Sequence, residues 1–190
     1  LNTKSLFIKI LSQFEIKLHW FVAFVFVQSL FFKFAGSEET VIIFSTIAQW
    51  MSSIGLPDGF ATAFGSYGGY VVGAVELVAA ILILIPATRL LGAGLALGVI
   101  SGAIFFHLFT PLGVHRIVDQ AGNTDGGVLF YMACGVWVSS AIVLFLNWTR
   151  RSASAPAAAL AEADAKTVHR LGELYYRVRE GLGFNKTPLE

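Results

Sequence analysis

The sequence predicts an all-α integral membrane protein: a four-helix bundle with an extracytoplasmic amphipathic helix in the 1–2 loop and a cytoplasmic C-terminal helix. Three observations predict it. The 190-residue chain is 56% hydrophobic and only 13% charged, against about 25% charged residues in an ordinary soluble domain. Four apolar stretches, 18–35, 69–85, 89–109 and 126–148, each approach or reach the roughly 17–25 residues that a helix needs to cross a hydrocarbon core. None of them shows the period-two alternation of a barrel strand, so helices are what satisfies the backbone in lipid.

The first span follows Lys4, Lys9 and Lys17, and no small-residue cleavage site closes it, so it reads as a retained helix. Of the 13 Lys and Arg residues, all but Lys33 and Arg116 fall before span one, in the 2–3 turn or after span four. By the bias of basic residues toward the cytoplasmic side, both termini are expected in the cytoplasm and the two long loops outside. Trp20 and Trp148 fit interfacial anchors on the inner face.

Ser37 can cap a helix whose first turn carries Glu38 and Glu39, a favourable placement for a hydroxyl and two negative charges. Ile43, Ile47, Trp50 and Ile54 then share a face, which predicts an amphipathic helix over about 38–54. The stretch "GLPDG", 55–59, ends it with turn residues. Past "RRSASAPAAA" the composition changes, and a separate soluble helix is expected over about 157–182, with Leu171, Leu174, Val178 and Leu182 as its stripe. A self-association seam making a homodimer, a docking face for a soluble partner and a helix on the lipid surface all suit that stripe.

The polar residues inside the apolar runs are the candidates for function. Glu76 shares a helix face with Gly69, Gly73 and Ala80, and small residues in membrane helices line helix contacts. It is therefore expected to point into the bundle. An ionisable residue at that depth costs at least about 2.5–3.5 kcal/mol to insert, so a partner is sought, and Lys33 at the end of span one is the partner expected. Two readings stay open for the pair: a salt bridge that orders the bundle, or a group that binds a polar head or passes a proton.

Tyr131, on a face with Gly127, Cys134 and Val138, is read as a phenol facing the interior near Glu76. His107 near the end of span three is a weaker candidate. Gly94, Gly98 and Gly102 form a small-residue stripe read as a close-packing face.

Several classes are excluded or disfavoured. A net charge of +1 without a basic patch argues against nucleic acid. One cysteine, Cys134, rules out dithiol exchange within the chain. His19 and His107 sit about a membrane thickness apart and cannot share a haem. His107, His115, Asp119 and Asp125 match no metal-ligand spacing, so no metal is expected.

Four features together resemble the DoxX family of small four-helix membrane proteins. These are "FFKFAG" (31–36), "GAVELVAAILILIP" (73–86) with Glu76, "PATRLLGAGLALG" (86–98) and "DGGVLF" (125–130). The resemblance spans about 18–147 and implies Lys33, Glu76 and Asp125 as the polar signature. It implies a bacterial inner-membrane protein, a membrane subunit of a quinone-linked oxidoreductase or redox-stress complex. A quinone is then the cofactor class, none being intrinsic, and the electron partner is a soluble protein. Two other readings stand beside it: a scaffold that recruits a soluble partner through the C-terminal helix, and a binding or transport protein for a small solute or lipid.

Overall fold

The computed structural model describes residues 3–181, with side-chain placement over 13–152 and 160–181. Among the described residues there are five helices: α1 (Thr3–Phe34), α2 (Glu38–Ser53), α3 (Asp58–Leu84), α4 (Arg89–Phe109) and α5 (Val128–Gly181). Four of them contain segments long and apolar enough to cross a membrane, namely Gln13–Phe34, Asp58–Leu84, Arg89–Phe109 and Val128–Ser152. The chain divides into two compact units, 1–147 and 148–190.

Within the first unit, α1, α3, α4 and the first part of α5 meet in one core. Val22 and Phe26 of α1, Ala79, Ala80 and Ile83 of α3, Ala93, Ala96 and Ile100 of α4, and Ala133, Val136 and Val143 of α5 build it. Alanine dominates because helices in lipid gain by close backbone approach and not by removing apolar surface from water. One end of the bundle, the loop end, carries α2 and the 110–127 loop. The other carries the tight turn 85–88, the turn end.

Helix α3 begins at Asp58, well before the expected start at 69. The glycines of "GSYGGY" sit inside the helix because α2 lies against them: a Cβ at Gly68 would stand 2.6 Å from the Phe44 ring, and one at Gly65 3.0 Å from the Ala48 methyl. Helix α2 occurs where its cap and stripe place it, with Ser37 accepting from the Thr40 amide. Its buried face is Thr40, Phe44, Ile47 and Met51, a rotation from the expected one that leaves Ile54 exposed.

Gly92, and not the 94–98–102 stripe, is where α3 and α4 come closest. A Cβ there would overlap backbone atoms of Leu82 and Ile83. By contrast Gly98 and Gly102 have no atom within 4 Å of such a Cβ, and Gly94 only the tip of Leu144 at 4.0 Å. The buried face of α4 is Gly92, Ala93, Ala96, Ile100 and His107, so the predicted stripe is turned toward the outside. Thr88 Oγ1 donates to the Leu82 carbonyl at 3.0 Å and Arg89 Nε to that of Ile83 at 3.3 Å. These close the carboxy-terminal end of α3, where a cation is favoured. Gly92→Val is expected to lower stability by about 1–3 kcal/mol as the helices are forced apart, whereas Gly98→Ala changes it by less than about 1 kcal/mol. Thermal unfolding of both variants in one detergent checks this.

Helix α5 continues from Val128 to Gly181. In the second unit, Leu160, Val168, Leu171, Leu174, Tyr175 and Val178 are exposed, and Lys166 pairs with Glu162 one turn away at 2.6 Å. Leu182, the last residue of the predicted stripe, lies outside the described residues. The expected start of α1 at 18 also moves, to Thr3.

Candidate functional site

Lys33 stands in the last turn of α1 and Glu76 two-thirds of the way along α3. Glu76 is buried with Gly69, Gly73 and Ala80 on one face. The Lys33 ammonium meets Glu76 Oε2 at 2.5 Å, with side-chain exposures of 16% and 7%. A third residue completes the group: Ser29, one turn before Lys33, donates to Glu76 Oε2 at 2.7 Å and accepts from Lys33 Nζ at 3.0 Å. Its hydroxyl also lies 2.7 Å from the Phe26 carbonyl. One hydroxyl proton serves two acceptors, so Ser29 can point to the carboxylate or to the helix backbone. Chemically the site is a carboxylate, an ammonium and a switchable hydroxyl held within one hydrogen-bonded triangle. Gly73 permits the approach of α1, since a Cβ there would lie 3.4 Å from the Phe34 ring and 3.5 Å from Leu30.

The other predicted residues fall elsewhere. Tyr131 is 63% exposed. It packs on Phe130 and over Gly127 instead of reaching Glu76. The inward face of α5 is Ala133, Val136, Ser140 and Val143, offset by two residues, or about 200°, from the face of Tyr131, Cys134 and Val138. His107 is buried, but its Nδ1 lies 2.7 Å from the Gly113 carbonyl and its ring meets Phe130 edge-on. That contact ties the 110–127 loop down to α4.

Asp125 caps α5. Its carboxylate accepts from the Gly127 amide at 2.9 Å and the Leu129 amide at 3.2 Å. The "DGG" spacing follows from this turn, because Gly126 and Gly127 have φ of +63° and +85°, the left-handed region that glycine enters without strain. Asp125 also faces Arg116, whose Nε lies 3.4 Å from Oδ2, while Arg116 Nη2 donates to Glu39 of α2. Arg116 is 1% exposed. Burial pushes its pKa down and the Asp125 charge pulls it back up. This guanidinium fastens α2, the 110–127 loop and the start of α5 to one another, and next to it the Gln120 amide donates to Glu38 at 3.1 Å. Asp119, accepting from the Asn123 amide and side chain, has a carboxyl held below the usual carboxylate range by those bonds.

Sequence reasoning therefore brings Lys33 and Glu76 together, and leaves out Ser29 and Arg116. Ser29 carries a usable signal, four residues before Lys33 on the same helix face. Arg116 carries one too, as one of two basic residues on the loop side, but its partners lie 77 and nine residues away and spacing does not point to them.

Compared with known proteins, the chain matches no family model, no curated protein and no solved structure.

Proposed function

We propose that this chain is a DoxX-like membrane subunit of a quinone-linked oxidoreductase or redox-stress complex, in a bacterial inner membrane with both termini cytoplasmic. Its own part is to hold and pass a proton at Ser29, Lys33 and Glu76. The observation that carries this reading is the buried triangle itself. An ionised pair is costly inside a bilayer and is kept there chiefly where it is used, and the Ser29 hydroxyl gives the carboxylate a donor that can turn away. A quinone ring carbonyl would take a hydrogen bond from Lys33, and Glu76 would exchange the proton. Electrons would come from a partner protein.

On the flank of α1 opposite the triangle there is an apolar groove of about 360 Å³, lined by Trp20, Phe24, Val27, Phe31 and Leu84 with Gln28 as its polar member.

The test is thermal unfolding of the detergent-purified protein with and without a short-chain quinone, for wild type and Glu76→Gln. A ligand that binds only the native state raises the midpoint. A shift in wild type that disappears in a still-folded Glu76→Gln variant is the expected result; no shift in wild type contradicts the reading.

A second reading, assembly of a complex through the second unit, is favoured by the exposed stripe from Leu160 to Val178. Replacing Leu171 and Leu174 by Asp separates the two. On the assembly reading the native complex shrinks to the bundle alone with its midpoint unchanged. On the redox reading the quinone shift survives the same replacement.

A further inference from the structure

The inward stripe of α1 reads Glu15, His19, Val22, Phe26, Ser29 and Lys33, the first four buried and the last two partly buried. Their spacing of four, three, four, three and four residues puts all six on a single stripe. Its two ends are polar and its middle is not. Toward the turn end, Glu15 and His19 are each 3% exposed, and His19 Nε2 lies 3.6 Å from Glu15 Oε1. Asn147 of α5 donates to the same Glu15 oxygen at 2.9 Å and to the Val143 carbonyl at 2.8 Å. Toward the loop end stands the triangle of Ser29, Lys33 and Glu76. Between the two, Val22 and Phe26 are 0% and 1% exposed and pack into the core.

Along α1, at about 1.5 Å per residue, Glu15 and Ser29 are about 21 Å apart. That separation is most of a hydrocarbon core of about 30 Å. Two acid-base clusters thus occupy two depths of one bundle. One of them contains an imidazole, the side chain best suited to taking and releasing protons near neutrality.

An independent observation bears on the gap. Ser140 of α5 is 0% exposed, and its hydroxyl has no hydrogen-bond partner among the described residues. It lies seven residues, two helical turns, from Asn147 on the same inward face as Val136 and Val143. A hydroxyl left unpaired in a membrane core is disfavoured, unless something transient bonds to it. A proton-carrying water chain entering from the Glu15 cluster would.

We propose that the bundle conducts protons between these two clusters, with Glu15, His19 and Asn147 as one station, Ser140 and transient water as the connection, and Ser29 and Glu76 as the other, Val22 and Phe26 forming the gate. Each step is a proton transfer alone. An N–H or O–H bond breaks at the donor as an O–H or N–H bond forms at the acceptor, no electrons move, and each station exchanges with the water on its own side. The imposed proton gradient supplies the driving force. This goes beyond the redox reading and does not need a quinone, so a failed quinone shift leaves it standing.

The experiment uses the full chain in liposomes that enclose a pH-sensitive dye, under a potassium-diffusion potential, with the rate of internal pH change as the readout. Wild type is expected to exceed protein-free liposomes at least tenfold. Glu15→Gln and Ser140→Ala, at unchanged thermal midpoint, are expected to lower that excess at least fivefold. Phe26→Ala is expected to raise it, with the increase abolished when Glu15→Gln is added. A wild-type rate equal to that of empty liposomes overturns the proposal. So does a Phe26→Ala increase that persists without the Glu15 carboxyl, since that is a nonspecific leak.

Discussion

Replacing Lys33 by Met is expected to destabilise the bundle by about 3–5 kcal/mol, the range for stripping a buried ion pair of one partner. The reciprocal change, Glu76→Ala, is expected to cost less. The asymmetry follows from where each residue stands. Lys33 lies in the last turn of α1, and a four-carbon stem can carry its ammonium outward toward the loop end once the carboxylate is gone. Glu76 has a short stem, is 6% exposed and sits among Gly73, Ala79 and Ala80 on the packed face of α3, so it has nowhere to go. Ser29 alone would remain to solvate it. Equilibrium unfolding in mixed micelles measures both values, and a larger loss for Glu76→Ala than for Lys33→Met would show that the position of the charge along its helix does not govern the cost.

Arg116→Lys is expected to be nearly as damaging as Arg116→Met, with a loss of about 3 kcal/mol or more for each. The guanidinium reaches Glu39 through Nη2 and faces Asp125 through Nε. A single ammonium on a flexible stem lacks that planar fork. Without it, two carboxylates face one another across the 110–127 loop, and α2 loses its tie to the start of α5. The damage should be local: faster proteolysis within 113–124, while the core around Val22, Ala79, Ala96 and Val136 keeps its protection. Wild-type stability in the lysine variant would mean that net charge, not the fork, does the fastening.

Much of the architecture is legible in the sequence because its signals are local. Runs of apolar residues mark the spans, Ser37 with Glu38 and Glu39 marks the start of α2, and two opposite charges in apolar surroundings point to each other. What is not legible depends on which neighbour a helix meets. The spacing of Gly94, Gly98 and Gly102 says that one face of α4 is smooth, but not that α3 lies against Gly92, about 120° around the helix from the middle of that stripe. Gly65 and Gly68 precede the expected start of the second span at 69, and form a helical surface on which Phe44 and Ala48 of α2 rest. Tyr131 is directed away from Glu76 by the phase of α5, which Ala133, Val136 and Ser140 set. The Arg116 contacts join segments far apart in sequence, and no periodicity carries that information.

At the centre of the account, Lys33 and Glu76 form one electrostatic unit inside the bundle. A double-mutant cycle of Lys33→Met and Glu76→Leu, read as unfolding free energy, tests this most directly. The predicted result is a double variant at least about 2 kcal/mol more stable than the sum of the two single losses implies, because two apolar side chains replace the pair without stranding a charge. Additive losses would contradict it.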